Sequence, residues 1–249
     1  MPRRSLIAAA AALAVAVPLT VTDALSSGEV EAARTHHAPA VDQPSWYEVA
    51  RRKGHPVAVL AHPTVLRATP GGRRIAKLGR RTEFGSPRVL AAVGEKGNWL
   101  RVLASELPNG RSGWIPASAA GVVASRWSIG VDLSERTLTA REDGKVVRRF
   151  TVAVGKPSTP TPTGRFAVTD KLNFSGGSAA YGCCAVALTG RQAHIEPGWR
   201  GGDRLAIHGT RLTGTIGTAA SFGCLRASDA DVRWLVRRLL LGSIVEIRP

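Results

Sequence analysis

The sequence predicts a mostly β protein in two units, a small N-terminal β-barrel followed by a larger mostly β unit that ends in one helix and a closing strand. Three observations carry this prediction. Short apolar runs separated by glycine- and proline-rich turns recur between His55 and Pro116. From Ser128 the alternating pattern resumes, with a hairpin signal at Glu142-Asp143-Gly144-Lys145. Near the C-terminus Val232, Leu235, Val236, Leu239 and Leu240 follow the 3.6-residue helical period.

At the N-terminus, Met1-Pro2-Arg3-Arg4 precedes an apolar run from Leu6 to Val21, mostly alanine, leucine and valine. A basic start, an apolar stretch and an A-x-A-like point at Val30-Glu31-Ala32 read as a signal peptide over residues 1–32. The rival reading is an uncleaved anchor. The run falls short of the ~20 residues that a span needs, and Pro18 interrupts it. The expected location is extracytoplasmic, secreted to the cell wall. Residues 33–54 are polar and read as a linker, in which His36-His37 is a solvated pair and no metal signal.

The first unit spans residues 55–121. Its expected strands include 57–60, 64–67, 88–93, 99–103 and 113–116, separated by turns such as Pro70-Gly71-Gly72 and Pro108-Asn109-Gly110. Gly97-Asn98-Trp99-Leu100-Arg101-Val102 and Gly110-Arg111-Ser112-Gly113-Trp114-Ile115 together resemble the end of bacterial Src-homology-3-like cell-wall modules. For Trp99 and Trp114 two readings stay open, a ligand groove and the barrel core. In the second unit, residues 122–249, strands are expected at 128–133, 137–140, 146–154, 164–169 and 205–207. Ser228-Asp229-Ala230-Asp231 matches a capping box for the helix. Gly242 stands where a C-cap belongs, and Ser243–Ile247 reads as the closing strand.

The net charge is +16, from 34 lysines and arginines against 18 acids. In a cytosolic protein this would suggest nucleic acid. Here the basic residues are scattered and the signal peptide disfavours that partner, so anionic cell-wall polymers are the expected electrostatic partner. Three cysteines in an exported chain leave at least one free thiol. Cys183 and Cys184 are adjacent, and they read either as two small buried side chains or as a redox-sensitive pair.

Chemistry concentrates in Ile207-His208-Gly209-Thr210 and Ser221-Phe222-Gly223-Cys224-Leu225-Arg226. A thiolate is the nucleophilic form of cysteine, and a nearby imidazole generates it near neutral pH. The cysteine stands just before a capped helix, where backbone amides favour a thiolate and an oxyanion. Gly223 permits a tight turn and a close substrate approach. Arg226 reads as a clamp on a substrate carboxylate or as an ion-pair partner of Asp229. Ser221 either bonds the histidine or shapes the turn. Tyr181 reads either as a cleft residue or as strand packing, and His194 as structural or solvated.

These two segments, with Ile216-Gly217 and Thr161-Pro162-Thr163-Gly164-Arg165-Phe166 upstream, resemble the YkuD-type L,D-transpeptidases over residues 125–249. The resemblance implies a β-sandwich-like catalytic domain that needs no metal or cofactor. It implies that Cys224 attacks the stem tetrapeptide of peptidoglycan after its third residue, a diamino acid, releasing D-alanine. His208 would act as base and acid, with the Gly209 carbonyl orienting its ring. The amides of Gly223 and Cys224, together with that of Phe222, would form the oxyanion hole, and an acceptor amine would resolve the thioester into a 3→3 cross-link. An L,D-carboxypeptidase, with water in place of the amine, is the same-chemistry alternative, and a catalytically silent wall-binding protein the other. One departure stands out: the commoner family motif is Ser-His-Gly-Cys, and Phe222 replaces that histidine. With His208 as the base, activity is expected to survive this replacement, with Phe222 altering the pocket rim.

Overall fold

The computed structural model describes residues 44–195 and 197–249. The expected signal peptide, His36-His37 and most of the expected linker lie outside the described residues. The linker's last residues are helical: α1 spans Trp46–Lys53. The Ser45 hydroxyl accepts the Glu48 amide at its start, and Glu48 pairs with Arg51 one turn on. With Ala50 its single buried residue, this helix carries almost no apolar period, so the sequence pattern did not reveal it.

Seven strands follow: β1 (His55–Leu60), β2 (Thr64–Arg67), β3 (Arg74–Leu78), β4 (Val89–Lys96), β5 (Trp99–Val102), β6 (Gly113–Pro116) and β7 (Ala120–Ser125). They form one sheet in the order β3-β2-β6-β5-β4-β1-β7. Leu66, Leu78, Leu100, Val102 and Ile115 pack into its core. Trp99 and Trp114 alternate with buried Leu100 and Ile115, so both sit half-buried on the outward side, which removes the core reading for them. Strand β7 pairs with β1 as far as Ser125, so the sheet runs past residue 121.

The rest of the chain is also mostly β. Its strands are β8 (Trp127–Asp132), β9 (Thr137–Glu142), β10 (Lys145–Thr151), β11 (Val154–Gly155), β12 (Gly164–Ser178), β13 (Gly182–Arg191), β14 (Arg204–His208), β15 (Ala219–Ser221), β16 (Leu225–Arg226) and β17 (Ile244–Arg248). Eight of them form a sheet in the order β10-β9-β8-β17-β12-β13-β14-β16, and β11 pairs in parallel with β15. Asp143 and Gly144 both have positive φ, 50° and 75°, which is the geometry of a two-residue hairpin turn.

Helix α2 (Asp229–Arg238) covers β13, and its Val232 and Leu235 join a core that includes Ile129, Leu138, Phe166, Leu188 and Ile207. The Ser228 hydroxyl accepts the Asp231 amide, as the capping signal predicts. The helix stops earlier than the periodicity suggests. Leu239 is already extended and Leu240 is 47% exposed. Gly242 is therefore no C-cap. It turns the chain at φ 81° where a Cβ would come 2.8 Å from Val57 Cγ1.

The two sheets meet through a small apolar cluster of Ala91, Leu103, Ala167 and Ile244. Around it Ser125 bonds Ser243 at 3.0 Å, Thr82 donates to buried Asp170, and Glu83 pairs with Arg204 at 2.7 Å.

Candidate active site

Strand β14 delivers His208, and the parallel pairing His208↔Arg226 sets β16 beside it. Cys224 immediately precedes β16, so thiol and imidazole share one cleft of about 110 Å³ with Tyr181, Gln192, Phe222 and Arg226. His208 is 3% exposed. Its Nδ1 lies 2.6 Å from the Gly209 carbonyl, which can only accept, so Nδ1 carries the proton and Nε2 is left as the basic nitrogen. Tyr181 packs its ring edge-on against the imidazole at 4.9 Å.

Burial pushes the His208 pKa down to about 4. The bond to Gly209 opposes that shift and the charge of Arg226 adds to it. Burial raises the Cys224 thiol, with the Ala206 backbone bond and Arg226 pulling the other way. Both shifts favour the neutral thiol and the neutral imidazole, which leaves Nε2 able to take the thiol proton. The Sγ atom rests 3.8 Å from the Arg204 carbonyl.

The loop before the nucleophile is held by its own hydroxyls. Ser221 Oγ accepts the Gly223 amide at 3.0 Å and donates to the Cys224 carbonyl at 2.6 Å, so Ser221 shapes the turn and does not reach the histidine. The Gly223 amide is thereby occupied within the loop, whereas no partner engages the Cys224 amide among the described residues. Gly223, at φ 110°, has room for no side chain: a Cβ would lie 1.9 Å from Gln192 Nε2. Gln192 donates through Nε2 to the carbonyls of Pro160 at 2.9 Å and Phe222 at 3.2 Å. Thr161 donates to the Gly223 carbonyl and accepts the Gly155 amide, both at 2.8 Å.

Arg226 makes no pair with Asp229. Its Nη1 reaches the Ala220 carbonyl at 3.4 Å, and its buried Nε has no partner. Asp229 instead accepts the Cys183 amide at 3.1 Å and lies so close to Gly209 that a Cβ there would meet Oδ1 at 2.1 Å. Phe222 is 36% exposed at the cleft rim, edge-on to Trp199 at 5.5 Å and under Lys156 Nζ at 4.9 Å. His194 is exposed outside the cleft. Cys183 and Cys184 are joined in a disulfide and are both buried, leaving Cys224 as the free cysteine. The bond replaces the reading of two separate small side chains.

The geometry thus unites His208, Gly209, Tyr181, Ser221, Phe222, Gly223, Cys224 and Arg226 around one cleft. Gln192, Trp199 and Asp229 escaped the sequence reading. A lone glutamine or tryptophan in a loop carries no spacing signal, and Asp229 read as a helix-start residue and a possible partner of Arg226, not as the acceptor of the Cys183 amide.

Residues 126–247 match the family model described as the L,D-transpeptidase catalytic domain (YkuD). A putative L,D-transpeptidase YkuD from Bacillus licheniformis is 32% identical over 123 residues, which are 49% of this chain and 66% of that protein. The protein of the same description from Bacillus subtilis strain 168 is 31% identical over 121 residues, covering 49% and 65%. The chain thus spans just under two thirds of the length of these curated relatives. Among solved structures, L,D-transpeptidase 3 from Mycobacterium tuberculosis is 17% identical, with a TM-score of 0.43 over 55% of this chain and 74% of that one. An L,D-transpeptidase from Stackebrandtia nassauensis is 22% identical, with a TM-score of 0.37 over 50% and 56%.

Proposed function

We propose that this protein, whose residues 126–247 match the L,D-transpeptidase catalytic domain model, is an exported peptidoglycan L,D-transpeptidase. It forms 3→3 cross-links through a thioester on Cys224, with the donor tetrapeptide stem and an acceptor amine as its partners. The observation that carries the reading is the His208–Cys224 cleft, in which the Gly209 carbonyl holds the ring so that Nε2 is the basic nitrogen. The apolar run at residues 6–21 supports export, and the N-terminal sheet with its two outward tryptophans suits the wall-binding module that the sequence resembles.

In this mechanism Nε2 takes the thiol proton as Sγ attacks the carbonyl of the diamino acid, whose amide bond to D-alanine then breaks. Burial raises the thiol and lowers the imidazole, so Nε2 is unprotonated and available as the base when Sγ attacks. The unengaged Cys224 amide, at the start of β16 and separated from α2 by that strand, serves the developing oxyanion. The imidazolium then protonates the departing D-alanine amine. An incoming amine attacks the thioester, His208 takes the amine's proton, and the thiol is released. Arg226 favours the developing negative charge and pairs with a substrate carboxylate. Phe222 adds an aromatic rim beside Trp199 and no titrating group.

The test is incubation of the purified protein with a disaccharide-tetrapeptide and mass spectrometry of the products. Dimers that have lost one D-alanine are expected, and Cys224→Ala should abolish them. Tripeptide without dimers would replace transpeptidation by carboxypeptidation, and dimers from Cys224→Ala would overturn the thioester.

A further inference from the structure

The segment between β13 and β14, residues 192–203, forms one wall of the Cys224 cleft through Gln192, Trp199 and Asp203. Gln192 donates to the Phe222 carbonyl in the nucleophile's loop, and Trp199 packs edge-on against the Phe222 ring. The wall thus meets the reacting centre at two points. Its two stems are Arg191 and Arg204, which face each other in the β13–β14 register. Asp203 ties them together. Its carboxylate accepts Arg191 Nη1 at 2.5 Å, and its carbonyl accepts the Gln192 amide at 2.7 Å.

Both stems are also held from the N-terminal sheet. Strand β12 pairs with β13 only as far as Leu188, which leaves the β13 edge open at Arg191. The turn at Pro108–Arg111 fills that place. There the Arg111 amide bonds the Pro108 carbonyl at 3.1 Å and Gly110 takes φ 75°, which presents Asn109. The Asn109 side chain then does what a neighbouring strand would do. Its Oδ1 accepts the Arg191 amide at 2.9 Å and its Nδ2 donates to the Arg191 carbonyl at 2.7 Å. Arg191 Nε adds a bond to the Ser105 carbonyl at 2.9 Å.

At the other stem, the turn between β3 and β4 brings Glu83 to Arg204 Nη2 at 2.7 Å, with the Phe84 ring 5.9 Å from the same guanidinium. Arg204 Nη1 donates to the Leu188 carbonyl at 3.1 Å, so this side chain bridges the N-terminal sheet and β13. Asn109 is exposed, and hydrogen bonds open to water contribute little to stability. What its paired bonds fix is the position of the strand end from which Gln192 projects.

We propose that Asn109 and Glu83 are positioning residues: the N-terminal sheet clamps both stems of the cleft wall and so sets Gln192 and Trp199 against the nucleophile's loop. This role rests on acyl transfer at Cys224 as the reaction. Small displacements at a reacting centre cost rate steeply, which is why weak contacts at the stems can matter there.

The probes are a carbapenem, which must seat against the wall to acylate Cys224, and iodoacetamide, which is small enough to read the thiol alone. Both are applied to the full chain. Asn109→Ala and Glu83→Ala should each lower the limiting acylation rate at saturating carbapenem by about tenfold, through partial loss of alignment. Alkylation of Asn109→Ala by iodoacetamide should keep the wild-type rate. The control is Ser125→Ala, which removes the 3.0 Å bond to Ser243, another contact between the two sheets. It should lower the urea midpoint at least as far as Asn109→Ala does and leave acylation unchanged. An unchanged limiting rate in Asn109→Ala, or an equal loss in Ser125→Ala, would overturn the clamp. A parallel loss with iodoacetamide would place the effect on the thiol and overturn it too. Wild type that resists the carbapenem would count against the acyl-transfer reading alone. The clamp is then read from the Gln192 amide and Trp199 indole chemical shifts, which Asn109→Ala should move and Ser125→Ala should not. Shifts that stay in place would overturn it.

Discussion

At the scale of single residues, His208 dominates because burial has moved its titration. Its pKa of about 4 in the folded protein lies below the ordinary value of 6.5, so the native state stays neutral while the unfolded chain takes up a proton. The stability this contributes is complete above pH 6.5 and is lost as the pH falls towards 4, by about 3 kcal/mol at most. Denaturant titrations at pH 7 and pH 4.5 should show wild type losing more stability than His208→Gln across that interval. Acylation of Cys224 by a carbapenem should likewise keep its base down to about pH 5, and an acid limb near 6.5 would contradict the buried, neutral imidazole. Arg226 lowers both the thiol and the imidazole through its charge. Arg226→Gln should therefore move the pH profile of Cys224 alkylation upward, whereas a purely substrate-binding arginine would leave it in place.

At the scale of elements, the nucleophile's loop depends on segments remote in sequence. Gln192, at the end of β13, joins the 159–160 turn to Phe222, and Thr161 joins that turn to Gly223. Gln192→Ala should cost only about 1 kcal/mol of stability, since a few net hydrogen bonds are lost. It should slow acylation far more, on the order of tenfold to a hundredfold, through misplacement of the reacting sulfur. Comparing the urea midpoint with the acylation rate separates the two effects. Much at this scale was legible in the sequence. The capped helix, the 142–145 hairpin, the closing strand and the strand end at His208 followed from local patterns, whereas the short strand β16 between Cys224 and the helix did not. Nor did helix α1 and the early stop of α2, because the first buries only Ala50 and the second ends where Leu239, itself a core residue, turns extended.

At the scale of the whole molecule, the two sheets are coupled by polar and apolar contacts. Buried Asp170 has one oxygen engaged by Thr82 and one without a partner, and Arg204, whose carbonyl touches Sγ, is held by Glu83. Residues 44–249 should consequently melt in a single calorimetric transition. Thr82→Val should lower it by roughly 1–3 kcal/mol, since it strips a buried carboxylate of its donor. Two resolved transitions in wild type would show the sheets to be independent. The sequence by itself determined the mostly β class and the pairing of one histidine with one free cysteine, because alternation, turn chemistry and motif spacing are local properties. Only the tertiary structure decided the burial of that pair, the ring orientation of His208 and what the Ser221 hydroxyl and Gly223 amide do. It alone revealed the parts played by Gln192 and Asp229, because burial and hydrogen-bond partners across long separations leave no periodic trace in a chain.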